Sequence, residues 1–119
     1  MRKTDPPVNE RYCMVMTTVT GRDEAERLAE GILRNRLGAC VQMADVRSVF
    51  LWQGKVQRED EVLLLVKGVG ERYEELEDYI RSHHSYDVPE ILRLPVTGGF
   101  SDYLAWLDSV TSPPPPAEL

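Results

Sequence analysis

Cysteine is scarce in this chain: Cys13 and Cys40 are the only two among 119 residues. Two thiols are too few for a disulfide framework, and these lie too far apart to form the C-x-x-C pair of a redox or soft-metal carrier. Both read first as small core residues. Positive charge is also short, 14 Lys and Arg against 20 Asp and Glu, for a formal net charge of −6. That balance argues against nucleic acid as the main partner, because a phosphate backbone is held by Lys and Arg that neutralise it. The acidic excess speaks to solubility rather than to a ligand. No apolar run approaches the ~20 residues of a membrane span. The opening MRKTDPPVNE has no apolar stretch after its basic residues, so the expectation is a cytoplasmic protein without a membrane partner.

What is present is the composition of a globular protein, 42% hydrophobic and 29% charged, in a chain long enough to bury roughly two-thirds of its unfolded surface in one core. Asp5-Pro6-Pro7 marks residues 1–10 as a flexible segment. TSPPPPAEL at 111–119 holds four consecutive prolines, which lack backbone donors and favour extended chain. The expected domain is therefore 11–110, followed by a disordered Pro-rich tail.

Inside it the hydrophobic period changes several times. Tyr12 to Val19 is β-rich and bounded by Thr20-Gly21. Ala25, Leu28, Ala29, Ile32, Leu33 and Leu37 then follow helical spacing, with acids in the first turns and Gly38 where a helix would stop. Cys40 to Trp52 and Val56 to Lys67 are strand-like runs joined by a tight-turn signal at Gln53-Gly54-Lys55, which makes them an antiparallel hairpin. A second helix is expected from Glu71 to Ser82 and a fourth strand from Glu90 to Val96, where Pro95 demands an edge or a bulge. Ser101 reads as the N-cap of a short last helix through Val110.

The order β-α-β-β-α-β plus a helix predicts an α+β, ferredoxin-like βαββαβ sandwich, both central helices on one face of an antiparallel sheet, with an extended β-hairpin and an extra C-terminal helix. A strand over Cys40 to Trp52 would extend ~43 Å at ~3.3 Å per residue, well beyond the usual strand. Its apolar residues Val46, Val49, Phe50, Leu51 and Trp52 are costly to leave wet, so the hairpin invites another chain.

RLGACV at 36–41, SVFLWQGKVQREDEVLLLVK at 48–67 and HHSYDVPEILRLPV at 83–96 together resemble segments of the CutA family of divalent-ion tolerance proteins. The first is similar to that family's L-A-A-C junction, and the second to its Y-W-W-x-G-K hairpin. The third resembles H-P-Y-E-x-P-E-I-x-x-x-P-V, and YLAWL follows at 103–107. The resemblance implies a homotrimer paired through the long hairpins, a role in tolerance of copper and other divalent cations, and no enzymatic activity. It departs at Ser85, where proline is usual, at Asp87, where glutamate is frequent, and at Thr17, where some bacterial members carry a cysteine.

The only two histidines, His83 and His84, are adjacent and followed by Ser85, Tyr86, Asp87 and Glu90. Imidazoles beside carboxylates suit copper or zinc, with Asp87 or Glu90 orienting a ring, and such a nitrogen and oxygen site favours Cu(II) or Zn(II) over Cu(I). Adjacent residues on a helix point ~100° apart, so the same pair also reads as the polar end of a helix, where His complements the dipole. Cys13, Cys40 and Asp87 are further candidates for the site, and Tyr86, Trp52 and Tyr103 for a pocket between subunits. Glu59, Asp60 and Glu61 read as a solvated charge run.

Other uses of the fold fit poorly. TTVTGRDE offers Arg22 and one glycine, too little for the phosphate loop of an acylphosphatase, and lacks the C-x-x-C of a metallochaperone. An RNA-recognition sheet needs basic and aromatic residues on its open face. Two readings stay open: a trimeric metal-binding tolerance protein, and a trimeric small-ligand sensor or scaffold resembling the PII regulators, with an indirect link to metal.

Overall fold

The computed structural model describes residues 11–113. Strand β1 (Tyr12–Val19) leads to helix α1 (Arg22–Arg34), then to β2 (Cys40–Trp52) and β3 (Lys55–Val69). A single 3-10 turn, Gly70–Arg72, precedes α2 (Tyr73–Ser82), and β4 (Leu92–Pro95) and α3 (Ser101–Thr111) complete the chain. The sheet order is β2-β3-β1-β4 and every pairing is antiparallel, which is the expected ferredoxin-like arrangement.

Alternation along β1 and β3 decides where the core sits. Cys13, Val15, Thr17 and Val19 lie opposite Gly68, Val66, Leu64 and Val62, and these side chains are buried with Leu28, Ile32, Leu76 and Ile80 of the two helices. The other face carries Met14 and Met16 opposite Lys67 and Leu65, only half-buried. There α3 covers one end: Leu107 packs with Tyr12 and Val69, and the Tyr12 hydroxyl donates to Asp108 at 2.6 Å.

The hairpin outruns the rest of the sheet. β1 pairs with β3 only as far as Val19 opposite Val62, whereas β2 and β3 stay paired to Trp52 opposite Lys55. The stretch from Val46 opposite Glu61 to that tip projects about 23 Å at ~3.3 Å per residue. Both faces of the projection are apolar and exposed: Phe50 and Trp52 on one, Val49, Leu51 and Val56 on the other. The connection is the two residues Gln53 and Gly54, both at positive φ (51° and 77°), as a tight hairpin turn requires.

Several boundaries differ from expectation, each for a local reason. Helix α1 ends before Gly38: Arg36 takes the left-handed conformation (φ 56°), its N–H donates to Leu33 O, and the Leu37 N–H donates to Ile32 O. These two bonds form a Schellman cap, and buried Leu37 supplies its hydrophobic contact. Gly38 serves close packing instead, since a Cβ there would meet Val66 Cγ1 at 2.6 Å. Phe100, not Ser101, is the N-cap of α3, and it offers no side-chain bond. Helix α3 runs on to Thr111, which is buried and bonded through its hydroxyl to Leu107 O. Residues 1–10 and 114–119 lie outside the described part of the chain. Strand β4 is an edge strand, as Pro95 demands, but it is shorter than expected and pairs only from Met16 opposite Leu92 to Cys13 opposite Pro95.

Candidate functional site

The histidine pair sits where α2 stops. His83 is the C-cap, and its backbone N–H reaches Tyr79 O and Ile80 O. Its ring turns back along the helix, stacks on the Tyr79 ring at 3.9 Å and places Nδ1 2.8 Å from Tyr79 O. A carbonyl only accepts, so Nδ1 carries the proton and Nε2 keeps its lone pair. The residue is exposed.

His84 lies past the end of the helix, and its ring points the other way, towards β1. Its side chain is fully buried. Nε2 lies 2.8 Å from Thr18 O, at the end of β1, while Nδ1 accepts from the Tyr86 N–H at 3.0 Å. These partners define a neutral imidazole protonated on Nε2. Thr18 lies beyond the last β1–β4 pair, so the ring bonds a strand carbonyl that β4 no longer reaches.

The turn that follows is tied down by carboxylates that are not its own. Glu24, in the first turn of α1, accepts from the Ser85 N–H at 3.0 Å and the Ser85 hydroxyl at 2.9 Å and lies 3.9 Å from His84 Nδ1. Burial would raise the Glu24 pKa, but the bonds from Ser85 prevail and hold it below its ordinary value. Tyr86 donates to Glu61 at 2.7 Å. Burial, that bond and the charges of Glu61, Glu59 and Glu24 push its phenol well above the usual range, so Tyr86 stays a donor. Glu61 is thus nearly buried, whereas Glu59 and Asp60 are exposed.

The other candidates lie elsewhere. Asp87 and Glu90 are exposed. Asp87 lines an open cleft with Asp78, Arg81, Ser82 and Pro89. Cys13 is buried in the core at the opposite end of β1 from Thr18, about 16 Å along the strand; burial raises its thiol pKa. Cys40 is half-buried opposite Lys67, and both thiols are free. Thr17 faces the core, fully buried, with its hydroxyl unpartnered. Trp52 is at the hairpin tip, and Tyr103 lies against Lys67 on α3.

Tested as a metal site, this donor set fits poorly within one chain. Among the described residues no three His, Cys, Asp or Glu side chains gather as ligands. The histidine pair presents one free nitrogen, Nε2 of His83. Sequence reasoning placed the pair at a helix end but missed Glu24 and Glu61, which are 60 and 23 residues before His84 in the chain. Only the α1 acid cluster and the 59–61 charge run marked them at all.

Fold and turn together define a small ferredoxin-like domain with a projecting apolar hairpin. The family described as CutA1 divalent ion tolerance protein matches residues 13–110, and the chain belongs to that family. It is 41% identical over 98 residues to the divalent-cation tolerance protein CutA of Pectobacterium atrosepticum, covering 80% of this chain and 89% of that one. It is 40% identical over 99 residues to the chloroplastic protein CutA of Arabidopsis thaliana, covering 82% of this chain and 54% of that one. The chain thus spans about half the length of the plant relatives it matches. The structure of the periplasmic divalent cation tolerance protein CutA from Archaeoglobus fulgidus superposes with a TM-score of 0.84 at 32% identity, over 85% of this chain and 99% of that one. CutA1 from Oryza sativa gives 0.84 at 37% identity, over 86% and 94%. The Pectobacterium and Archaeoglobus relatives are named as divalent-cation tolerance proteins. Among the described residues no helix is long and apolar enough to cross a membrane.

Proposed function

We propose that this protein serves divalent-cation tolerance as a homotrimer, without catalysis, and that a cation such as Cu(II) meets each subunit at the His83-His84 turn. One observation carries the assembly: the hairpin extends past its own sheet with Val49, Phe50, Leu51, Trp52 and Val56 exposed on two faces. An apolar projection of that kind is stable in water when other copies cover it. For the cation, the support is that His83 is exposed and that its Nδ1 is engaged by Tyr79 O, which leaves Nε2 as the nitrogen for a cation. One imidazole per chain implies modest affinity, raised where subunits converge on one ion.

The test is sedimentation equilibrium at micromolar concentration, followed by calorimetric titration of the same sample with Cu(II) and, separately, with nucleotides. A trimer that takes up Cu(II) and loses that uptake in the His83→Ala/His84→Ala double variant supports the proposal. A stable folded monomer, or Cu(II) binding unchanged in the double variant, refutes it, and nucleotide binding alone would favour the sensor reading. A cytoplasmic address belongs to the same proposal, and cell fractionation separates it from the chloroplast and periplasm for which relatives are named.

A further inference from the structure

We infer that the two histidines have different jobs: His84 is a structural pin that fastens the 83–91 turn over the end of β1, and His83 alone is available to a cation. The inference deepens the cation reading at the same turn and rests on it only for His83. Both nitrogens of His84 are occupied, Nε2–H by Thr18 O at 2.8 Å and Nδ1 by the Tyr86 N–H at 3.0 Å, and the side chain has no solvent exposure. A metal ion at Nδ1 would displace the Tyr86 amide. At Nε2 it would strip the proton and leave Thr18 O buried without a donor, which is unfavourable for a backbone acceptor.

The position explains why an imidazole is wanted here. Antiparallel pairing of β1 with β4 stops at Met16 opposite Leu92, so the Thr18 carbonyl needs a donor that the short edge strand does not supply. An imidazole has a donor at its far nitrogen and an acceptor near its own backbone, so one ring bonds the strand end and the Tyr86 amide together. Around this pin, Ser85 is fastened to Glu24 of α1 and Tyr86 to Glu61 of β3. The turn after α2 is therefore tied to β1, α1 and the root of the projecting hairpin.

Nitrogen-15 NMR of the two imidazoles tests this, with Zn(II) as a diamagnetic probe on the intact protein. Without metal, His84 should show the neutral Nε2–H tautomer with a slowly exchanging ring proton, and His83 a solvent-exposed ring. On adding Zn(II), His83 resonances should shift while those of His84 stay in place. His83→Ala should weaken Zn(II) binding about tenfold or more; His84→Ala should change it less than about twofold but lower the melting temperature. His84→Gln, which can still donate to Thr18 O, should recover part of that loss. A His84 ring protonated on Nδ1, or one that shifts with Zn(II) at the same midpoint as His83, overturns the inference. If Zn(II) moves neither ring, the cation reading fails while the tautomer and the His84 variants still decide the pin.

Discussion

Thr17 offers a sharp test of how the core is read. Its side chain is fully buried on the helix-facing side of β1, opposite Leu64, and its hydroxyl has no hydrogen-bond partner. A buried hydroxyl left unsatisfied costs about 1–3 kcal/mol. Valine has the same branched shape with a methyl in place of that hydroxyl and suits a strand at least as well. Thr17→Val is therefore expected to stabilise the protein by about 1–2 kcal/mol, an unusual direction for a core substitution. Thr17→Ser keeps the polar atom and deletes a buried methyl, which should cost about 1 kcal/mol. The assay is urea unfolding of all three proteins at one fixed concentration, because assembly makes apparent stability concentration-dependent. The expected order is valine, then threonine, then serine. Valine falling below threonine would refute the reasoning, since it would mean the hydroxyl is satisfied in solution.

Gly31→Ala should destabilise the protein although alanine is the better helix former by about 1 kcal/mol, because its Cβ would lie 1.8 Å from the Tyr79 hydroxyl; a double-mutant cycle with Tyr79→Ala should show strong coupling, and additive effects would count against the contact. Glu24 has a depressed pKa in the folded chain, so its contribution is present above its ordinary carboxylate range of about 4.3 and is lost as pH falls through the lower folded value. The stability difference between wild type and Glu24→Gln should thus shrink on acidification below about pH 4.3, and a difference that grows would reverse the sign argued here. A chain ending at Val110 should melt lower than one ending at Pro113, because Thr111 is buried and Ser112 O accepts from Arg36; equal melting curves would show that this last turn adds nothing.

Much of the architecture is local and was therefore readable in the residues. The period-2 run of β1, the apolar stripe of α1 and the Gln53-Gly54 turn each follow from side-chain alternation, helical spacing or backbone permissiveness within a few positions. Pro95 marked an edge strand for the same kind of reason, because proline removes a ladder donor wherever it sits. The adjacency of His83 and His84 at a helix end was equally plain. Their division of labour was not, because it depends on partners that folding brings from far along the chain. Thr18 O, Glu24 and Glu61 come from a strand end, a helix start and a hairpin root. Gly38 was misread in the same way: beside a helix end it looks like a stop, yet its role is set by Val66 on β3. Local periodicity determined the elements and their order, whereas only the packed structure decided which ring nitrogen is free, since that is settled by contacts between residues with no regular spacing in sequence.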